Sequence, residues 1–227
     1  MMSEMSDNNV VIRKCKKEDW RGIMEVCYRT GYMGEDATGR FSDKYLFGLL
    51  FCLYYPWYEP WNCYVAESEA ENGKIVGYIL GSMDSDLQEK HFAIKMVPRI
   101  MFRLITTSWW RYPNVLKILV HLISQAPKVM EEGTLGEDDL NKKYPAHLHI
   151  DILEDYQRIG IGSKLINKLE THLKKYGISG IHLGTSTRNI KAIPFYKKHG
   201  YKIIKIGNAS LWPDASEEKD LTFAKKL

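Results

Sequence analysis

From Ala146 to Leu153 apolar residues alternate with polar ones (A-H-L-H-I-D-I-L), the period of a strand, and Pro145 and Glu154-Asp155 bound the run. Directly afterwards the period changes. Leu165, Ile166, Leu169 and Leu173 share one helical face within Ser163 to Tyr176, and Gly177 follows as a C-terminal stop. Between the two lies Gln157-Arg158-Ile159-Gly160-Ile161-Gly162. A strand, a glycine loop and a helix in this order bring free backbone N–H groups and the positive end of a helix to one point, which suits a diphosphate. No Gly-Lys-Ser/Thr follows, so this is not a Walker loop, and the third glycine of the dinucleotide fingerprint is missing. Taken alone, the glycines fit a tight turn equally well.

The same patterning divides the remaining chain. Val10 to Cys15 is predicted as a strand. Lys17 to Tyr28 follows as a helix with Trp20, Ile23, Met24 and Cys27 on one side, closed by Gly31. Tyr32 to Arg40 is a loop, and Ser42 or Asp43 caps a second helix running to Leu53. Pro56 and Pro60 argue against a regular helix through the aromatic cluster Tyr54, Tyr55, Trp57, Tyr58 and Trp61. These rings pack under a loop or form one wall of a ligand pocket. Asn62 to Ser68 and Lys74 to Met83 form a hairpin turned by Glu71-Asn72-Gly73.

Asp84 to Tyr144 departs from this compact order. Pro98, Pro113 and Pro127 divide it into helices near Pro98 to Trp110 and Pro113 to Ala126, and Glu131 to Asp139 is an acidic loop. Between Lys90 and Met130 there are seven Lys or Arg residues and no Asp or Glu. This stretch reads first as a lid over a pocket, next as a packed ornament, and last as a basic surface for anionic lipid, because its apolar residues show no single clear stripe. Gly180 to Thr185 is a short strand. A short helix ending at Gly200, a strand from Tyr201 to Ile206, a polar loop carrying Trp212, and a last strand from Asp220 to Ala224 complete the chain.

The short helix carries a second motif, Asn189-x-x-Ala192-x-x-Phe195-Tyr196-x-x-x-Gly200-Tyr201. Together with the glycine loop, in this order and spacing, it resembles the acetyl-CoA-binding core of the GNAT N-acetyltransferase superfamily. The resemblance implies an α/β GNAT fold: a mixed, mostly antiparallel sheet, helices on both faces, and the 84–144 segment inserted between strands 3 and 4 of a single 1–227 domain. It implies that Gln157, Arg158, Ile159, Gly160, Ile161, Gly162 and Ser163 hold the CoA pyrophosphate. The backbone of Ile152 and Leu153 would pair with pantetheine, Asn189 and Phe195 would lie beside it, and Tyr196 would protonate the leaving thiolate. A phenol with a pKa near 10 keeps that proton at neutral pH. Glu154 departs from the family, which often has Pro before the loop.

Tyr54 to Glu67, Gly73 to Ser82 and Pro145 to Ile152 further resemble the acetyltransferase-like C-terminal domain of O-GlcNAcases. Some members of that branch are thought not to bind acetyl-CoA, but the phosphate loop is intact here.

His147, His149 and Asp151 share strand parity and therefore one face. They are candidates to take the acceptor's proton, since an imidazole pKa near 6.5 is well placed. The A-H-L-H run also resembles the histidine pair of arylalkylamine N-acetyltransferases, one residue out of register with the loop. Local packing of both rings is the competing reading. His-x-His-x-Asp could face a metal, but nothing else in the sequence supplies a further ligand, so no metal is expected. His172 and His182 read as surface or packing residues.

Composition adds bounds. The 227 residues are 44% hydrophobic, carry a net charge of +4 and have a pI near 8.7, which is too mildly basic to imply nucleic acid. Cys15, Cys27, Cys52 and Cys63 lack paired spacing and, with no signal peptide read, point to a reducing cytoplasm. Met1 to Asn9 is polar and expected to fray. The expected activity is transfer of acetyl from acetyl-CoA, as co-substrate, to a small-molecule or peptide amine. No cysteine occupies a matched motif position, so transfer is direct in a ternary complex. The alternative is a non-catalytic GNAT-like module that binds a peptide, a sugar or an anionic membrane surface. An exposed edge strand or the aromatic cluster could support a homodimer.

Overall fold

The computed structural model describes residues 9–112, 114–115, 117–118, 120–121, 137–207, 212–215 and 217–227. Strands β1 (Val10–Lys14), β2 (Tyr64–Ser68), β3 (Lys74–Ser82), β4 (Ala146–Ile152), β5 (Gly180–Ser186), β6 (Lys202–Gly207) and β7 (Asp220–Lys226) form one sheet in the order β1-β2-β3-β4-β5-β7-β6. Every neighbouring pair is antiparallel except β4 and β5. That parallel pair holds only at Ala146↔Ile181 and His147↔His182, after which the strands part.

One face of the sheet is covered by α1 (Trp20–Thr30) and α2 (Lys44–Phe51), whose Ile23, Val26, Leu46 and Phe47 are buried. The other face is covered by α8 (Ile161–Lys175), which buries the predicted stripe Leu165, Ile166, Leu169 and Leu173, and by α9 (Ala192–Lys198). The β2–β3 turn forms as predicted, with Asn72 and Gly73 both left-handed (φ 54° and 80°). All four cysteines are buried and unbridged.

The aromatic cluster contradicts the exclusion of helix there. Tyr54–Tyr58 is a single helical turn, α3. Pro56 is its third residue, where the missing N–H would have had no partner inside the helix anyway. Tyr54 and Tyr55 are buried, whereas Trp61 is exposed.

Between β3 and β4 the structure adds a helix the sequence reading omitted, α4 (Ser85–Lys95), capped by the Asp84 carboxylate on the Leu87 N–H at 2.9 Å. The helix expected near Pro98 to Trp110 is present as α5 (Val97–Arg103), a π-turn (Leu104–Ser108) and α6 (Trp109–Arg111). A further helix, α7 (Glu137–Lys143), begins inside the stretch expected to be an acidic loop. The remainder of that loop, most of the Pro113 to Ala126 helix and the first eight residues lie outside the described residues.

One buried carboxylate ties this arm to the core. Asp43, 1% exposed, caps α2 by accepting from the Leu46 N–H. It also receives Arg103 Nε at 2.9 Å, Arg103 Nη2 at 3.1 Å and Ser108 Oγ at 2.6 Å. Burial would raise its pKa, but the hydrogen bonds from Arg103, Ser108 and the Leu46 N–H outweigh burial and hold it below the usual value. Asp43→Ala removes a cap and strands the Arg103 guanidinium at once. It is expected to destabilise the chain by about 2–4 kcal/mol, read as a lower urea midpoint at unchanged m-value.

Candidate active site

Leu153 leaves β4 and a 3₁₀ turn at Glu154–Tyr156 leads into the glycine loop. Gln157 Nε2 donates to the Ile152 carbonyl at 2.9 Å, which pins the loop to the strand end. Arg158 and Gly160 are left-handed (φ 63° and 88°), and Gly160 is the N-cap of α8. A Cβ built on Gly160 would meet nothing within 4 Å, so space is open above the loop. The first bond of α8 reaches back from the Lys164 N–H to the Gly160 carbonyl, leaving the earlier N–H groups of Ile161, Gly162 and Ser163 without helical partners. Gly162 serves close packing instead, since a Cβ there would lie 3.0 Å from Phe195 and 3.3 Å from Ile152. The Ile161 side chain is buried and can offer only its backbone. Ile159 is exposed, and Ser163 Oγ lies 3.0 Å from His199 Nε2. Glu154, the departure noted above, is paired with Lys191 at 3.0 Å, so it adds no unbalanced negative charge beside the loop.

The parted strands correct one predicted contact. The Leu153 N–H already donates to the Val76 carbonyl of β3 at 2.9 Å, so it is not free for a ligand. Antiparallel pairing alternates, so His147, His149, Asp151 and Leu153 turn their backbone toward β3, while Leu148, Ile150 and Ile152 turn theirs toward the opening beside β5. The Ile152 N–H therefore points into the opening while its carbonyl is held by Gln157, and the Ile150 backbone is turned to the same side.

A cavity of about 480 Å³ occupies this opening. Its lining includes His149, Ile150, Asp151, Gly184, Asn189 and Tyr196. A second cavity of about 420 Å³ lies alongside, among α2, α4 and the β4–β5 edge. The two share Phe51, Leu148, His149 and Gly184. A Cβ on Gly184 would touch nothing within 4 Å, so this residue keeps the passage between them wide.

The three polar residues of β4 divide by their partners. His147 is fully engaged: Nε2 lies 2.8 Å from Tyr55 Oη and Nδ1 lies 2.8 Å from Ser85 Oγ. Ser85 Oγ donates to the Pro145 carbonyl at 2.8 Å, which makes His147 Nδ1 the donor to Ser85 and Nε2 the acceptor from Tyr55. Burial, then the neighbouring His149 and His182, hold its pKa well below the usual value. Its expected part in taking the acceptor proton is therefore corrected to a positioning one, because neither ring nitrogen is free.

His149 opens onto both cavities and is exposed to them, and the protein packed around the ring, then His182, lowers its pKa, so it is neutral at physiological pH. Asp151 faces the larger cavity and accepts from the Tyr78 hydroxyl. Burial raises its pKa to about 6 against the opposing bonds from Tyr78 and Thr30. A carboxylate titrating near 6 is matched to taking a proton at neutral pH. Tyr196 is buried, and burial, then the Asp151 charge, raises its pKa above the usual phenol value, so it holds its proton.

Asn189 is approached by the α1–α2 loop, where Gly34 is left-handed (φ 94°) and a Cβ would come within 3.0 Å of Asn189 Oδ1. Tyr78, Ser85 and His182 belong to this site but were not singled out for it from sequence, whereas Tyr55, read as one ring of a possible pocket wall, does line the smaller cavity. His182, read as packing, lies 5.8 Å ring to ring from His147 and lines the smaller cavity. His172 does pack, with Nε2 3.2 Å from Asn62 Oδ1.

Comparison with known proteins bears on this geometry. Residues 128–201 match the model of the acetyltransferase (GNAT) family. The chain is 33% identical over 81 residues to GCN5-related N-acetyltransferase 4, chloroplastic, of Arabidopsis thaliana, covering 35% of this chain and 28% of that protein. It is 36% identical over 55 residues to the uncharacterized N-acetyltransferase YjcF of Bacillus subtilis, covering 24% and 37% of the two chains. The aligned stretches thus span well under half of either curated relative. The crystal structure of SsHAT superposes with a TM-score of 0.73 at 25% identity, over 96% of this chain and 98% of that one. The chain thus has the GNAT fold, and its 128–201 segment is similar to the acetyltransferase (GNAT) family.

Proposed function

We propose that the chain is an acetyl-CoA-dependent N-acetyltransferase that moves acetyl directly to a primary amine in a ternary complex. One observation carries this reading: β4 and β5 part over a cavity lined by Asp151 and Tyr196, and the same strand β4 runs directly on into the open glycine loop that caps α8.

The bound thioester would supply the activated acetyl group. The N–H groups of Ile161, Gly162 and Ser163 would hold its diphosphate, aided by the helix dipole. The backbone of Ile150 and Ile152 would hold its extended arm as an added strand, and an N–H of that edge would polarise the carbonyl. Asp151 accepts the ammonium proton of the acceptor, with His149, neutral, beside it. Tyr196 gives its hydroxyl proton to the departing sulfur. The acceptor enters from the smaller cavity, whose Leu50, Phe51, Phe92 and Val97 favour an amine carried on an apolar body.

The sequence likeness to the O-GlcNAcase-associated branch is compatible with this fold and leaves the amine open. The test is release of free CoA thiol from acetyl-CoA with a panel of small amines and peptides. Tyr196→Phe is expected to lower kcat roughly 10- to 100-fold with little change in the KM for acetyl-CoA. No thiol release above background with any amine class would count against the enzyme reading.

A further inference from the structure

Among the described residues, large exposed apolar side chains gather on the α4–α6 arm. Ile94, Phe102, Ile105, Trp109 and Trp110 are 71%, 70%, 65%, 60% and 61% exposed. Ile94, Pro98, Phe102, Ile105 and Trp109 follow one another at intervals of three and four residues along a nearly continuous helical path, with Met101 beside Phe102, so they form one stripe. The sequence reading ranked a lipid surface last because no stripe was apparent; the folded arm has one.

The polar groups on this face are turned inward. Trp109 Nε1 donates to the Ile105 carbonyl at 2.7 Å, Trp110 Nε1 to the Thr106 carbonyl at 3.1 Å, and Thr106 Oγ1 to the Phe102 carbonyl at 2.7 Å. Each would find a partner in water without help. Satisfying them within the helix is what an apolar medium requires. The charge is one-sided too: the sequence from Lys90 to Met130 has seven basic residues and no acidic one, and although Arg103 is spent on Asp43, Lys90, Arg111 and Lys117 are exposed and complement an anionic surface. Among the described residues no helix is long and apolar enough to cross a membrane, so the stripe suits lying in an interface.

We propose that this face docks the protein onto an anionic lipid bilayer, with the Trp109 and Trp110 rings in the headgroup region and the basic residues contacting lipid phosphates and carboxylates. Val97, at the edge of the stripe, also lines the smaller cavity, so docking brings that cavity's rim close to the bilayer.

Flotation of the full chain with vesicles of phosphatidylcholine containing about 30% phosphatidylserine tests this. The expected result is co-flotation with a blue shift of tryptophan emission. A Phe102→Ser/Ile105→Ser/Trp109→Ser variant should bind at least about 10-fold more weakly. A Lys90→Glu/Arg111→Glu/Lys117→Glu variant should lose binding to a similar degree while keeping its circular dichroism spectrum and melting temperature. These substitutions sit at exposed positions, so two independent variants guard against one misfolding. Absence of wild-type flotation at low salt would overturn the proposal, as would equal binding to pure phosphatidylcholine. So would a stripe variant that only disrupts self-association, which would make the face an interface between two copies of this chain.

Discussion

Asp151→Asn is expected to lower kcat/KM by roughly 100- to 10,000-fold while leaving the protein more stable at neutral pH. The first part follows from its place in the larger cavity and from a pKa raised to about 6, which make it the best-matched proton acceptor facing the cavity. The amide cannot accept the ammonium proton, whereas its carbonyl can still receive the Tyr78 hydroxyl, so geometry is kept. In the wild type, kcat/KM should rise with pH through about 6 and the variant should lose that limb.

The stability part has the opposite sign. The folded pKa lies above the ordinary value of 3.8, so the unfolded chain releases this proton first as pH rises. Asp151 therefore costs the wild type nothing below pH about 4, and an increasing amount between 4 and 6 that persists above. Asp151→Asn should recover about 1–3 kcal/mol at pH 7 to 8 and nothing at pH 3.5, measured by urea unfolding at both values. A variant destabilised at neutral pH would show that the carboxylate is structural.

Gly160→Glu is expected to weaken acetyl-CoA binding by at least about 100-fold. Three effects add. The position is left-handed, which L side chains adopt at a cost of about 1–2 kcal/mol. The space beyond its Cα is open, so the new side chain would occupy the ligand's place rather than clash with protein. Its carboxylate would stand against a diphosphate at a helix N-terminus built to attract anions. Because nothing packs there, the fold should survive, and a melting temperature lowered by only a few degrees checks this.

Much of this site was readable because its motifs are local. The strand, the glycine loop and the α8 stripe lie within thirty residues of one another, and the period change at Leu153 marks their junction. The common face of His147, His149 and Asp151 follows from strand parity alone. What parity cannot give is register. That Tyr78 stands opposite Asp151, and that the Leu153 N–H is consumed by Val76, depend on how β3 aligns with β4 across the whole inserted arm. The engagement of His147 by Ser85 and Tyr55 likewise joins residues 62 and 92 positions away. Pro56 misled because proline is a helix breaker only beyond the first turn. The apolar stripe of the arm went unseen because Pro98 reads as the start of a separate helix, whereas helical backbone carries on from α4 into α5 through Met96.

The central claim is that the glycine loop and the parted strands hold acetyl-CoA. Isothermal titration of acetyl-CoA into the wild type and into Gly160→Glu tests it most directly, without knowledge of the amine. The expected result is one-site, micromolar-range binding by the wild type that is lost in the variant while its circular dichroism is unchanged. Failure of the wild type to bind, or equal binding by both proteins, would contradict the account.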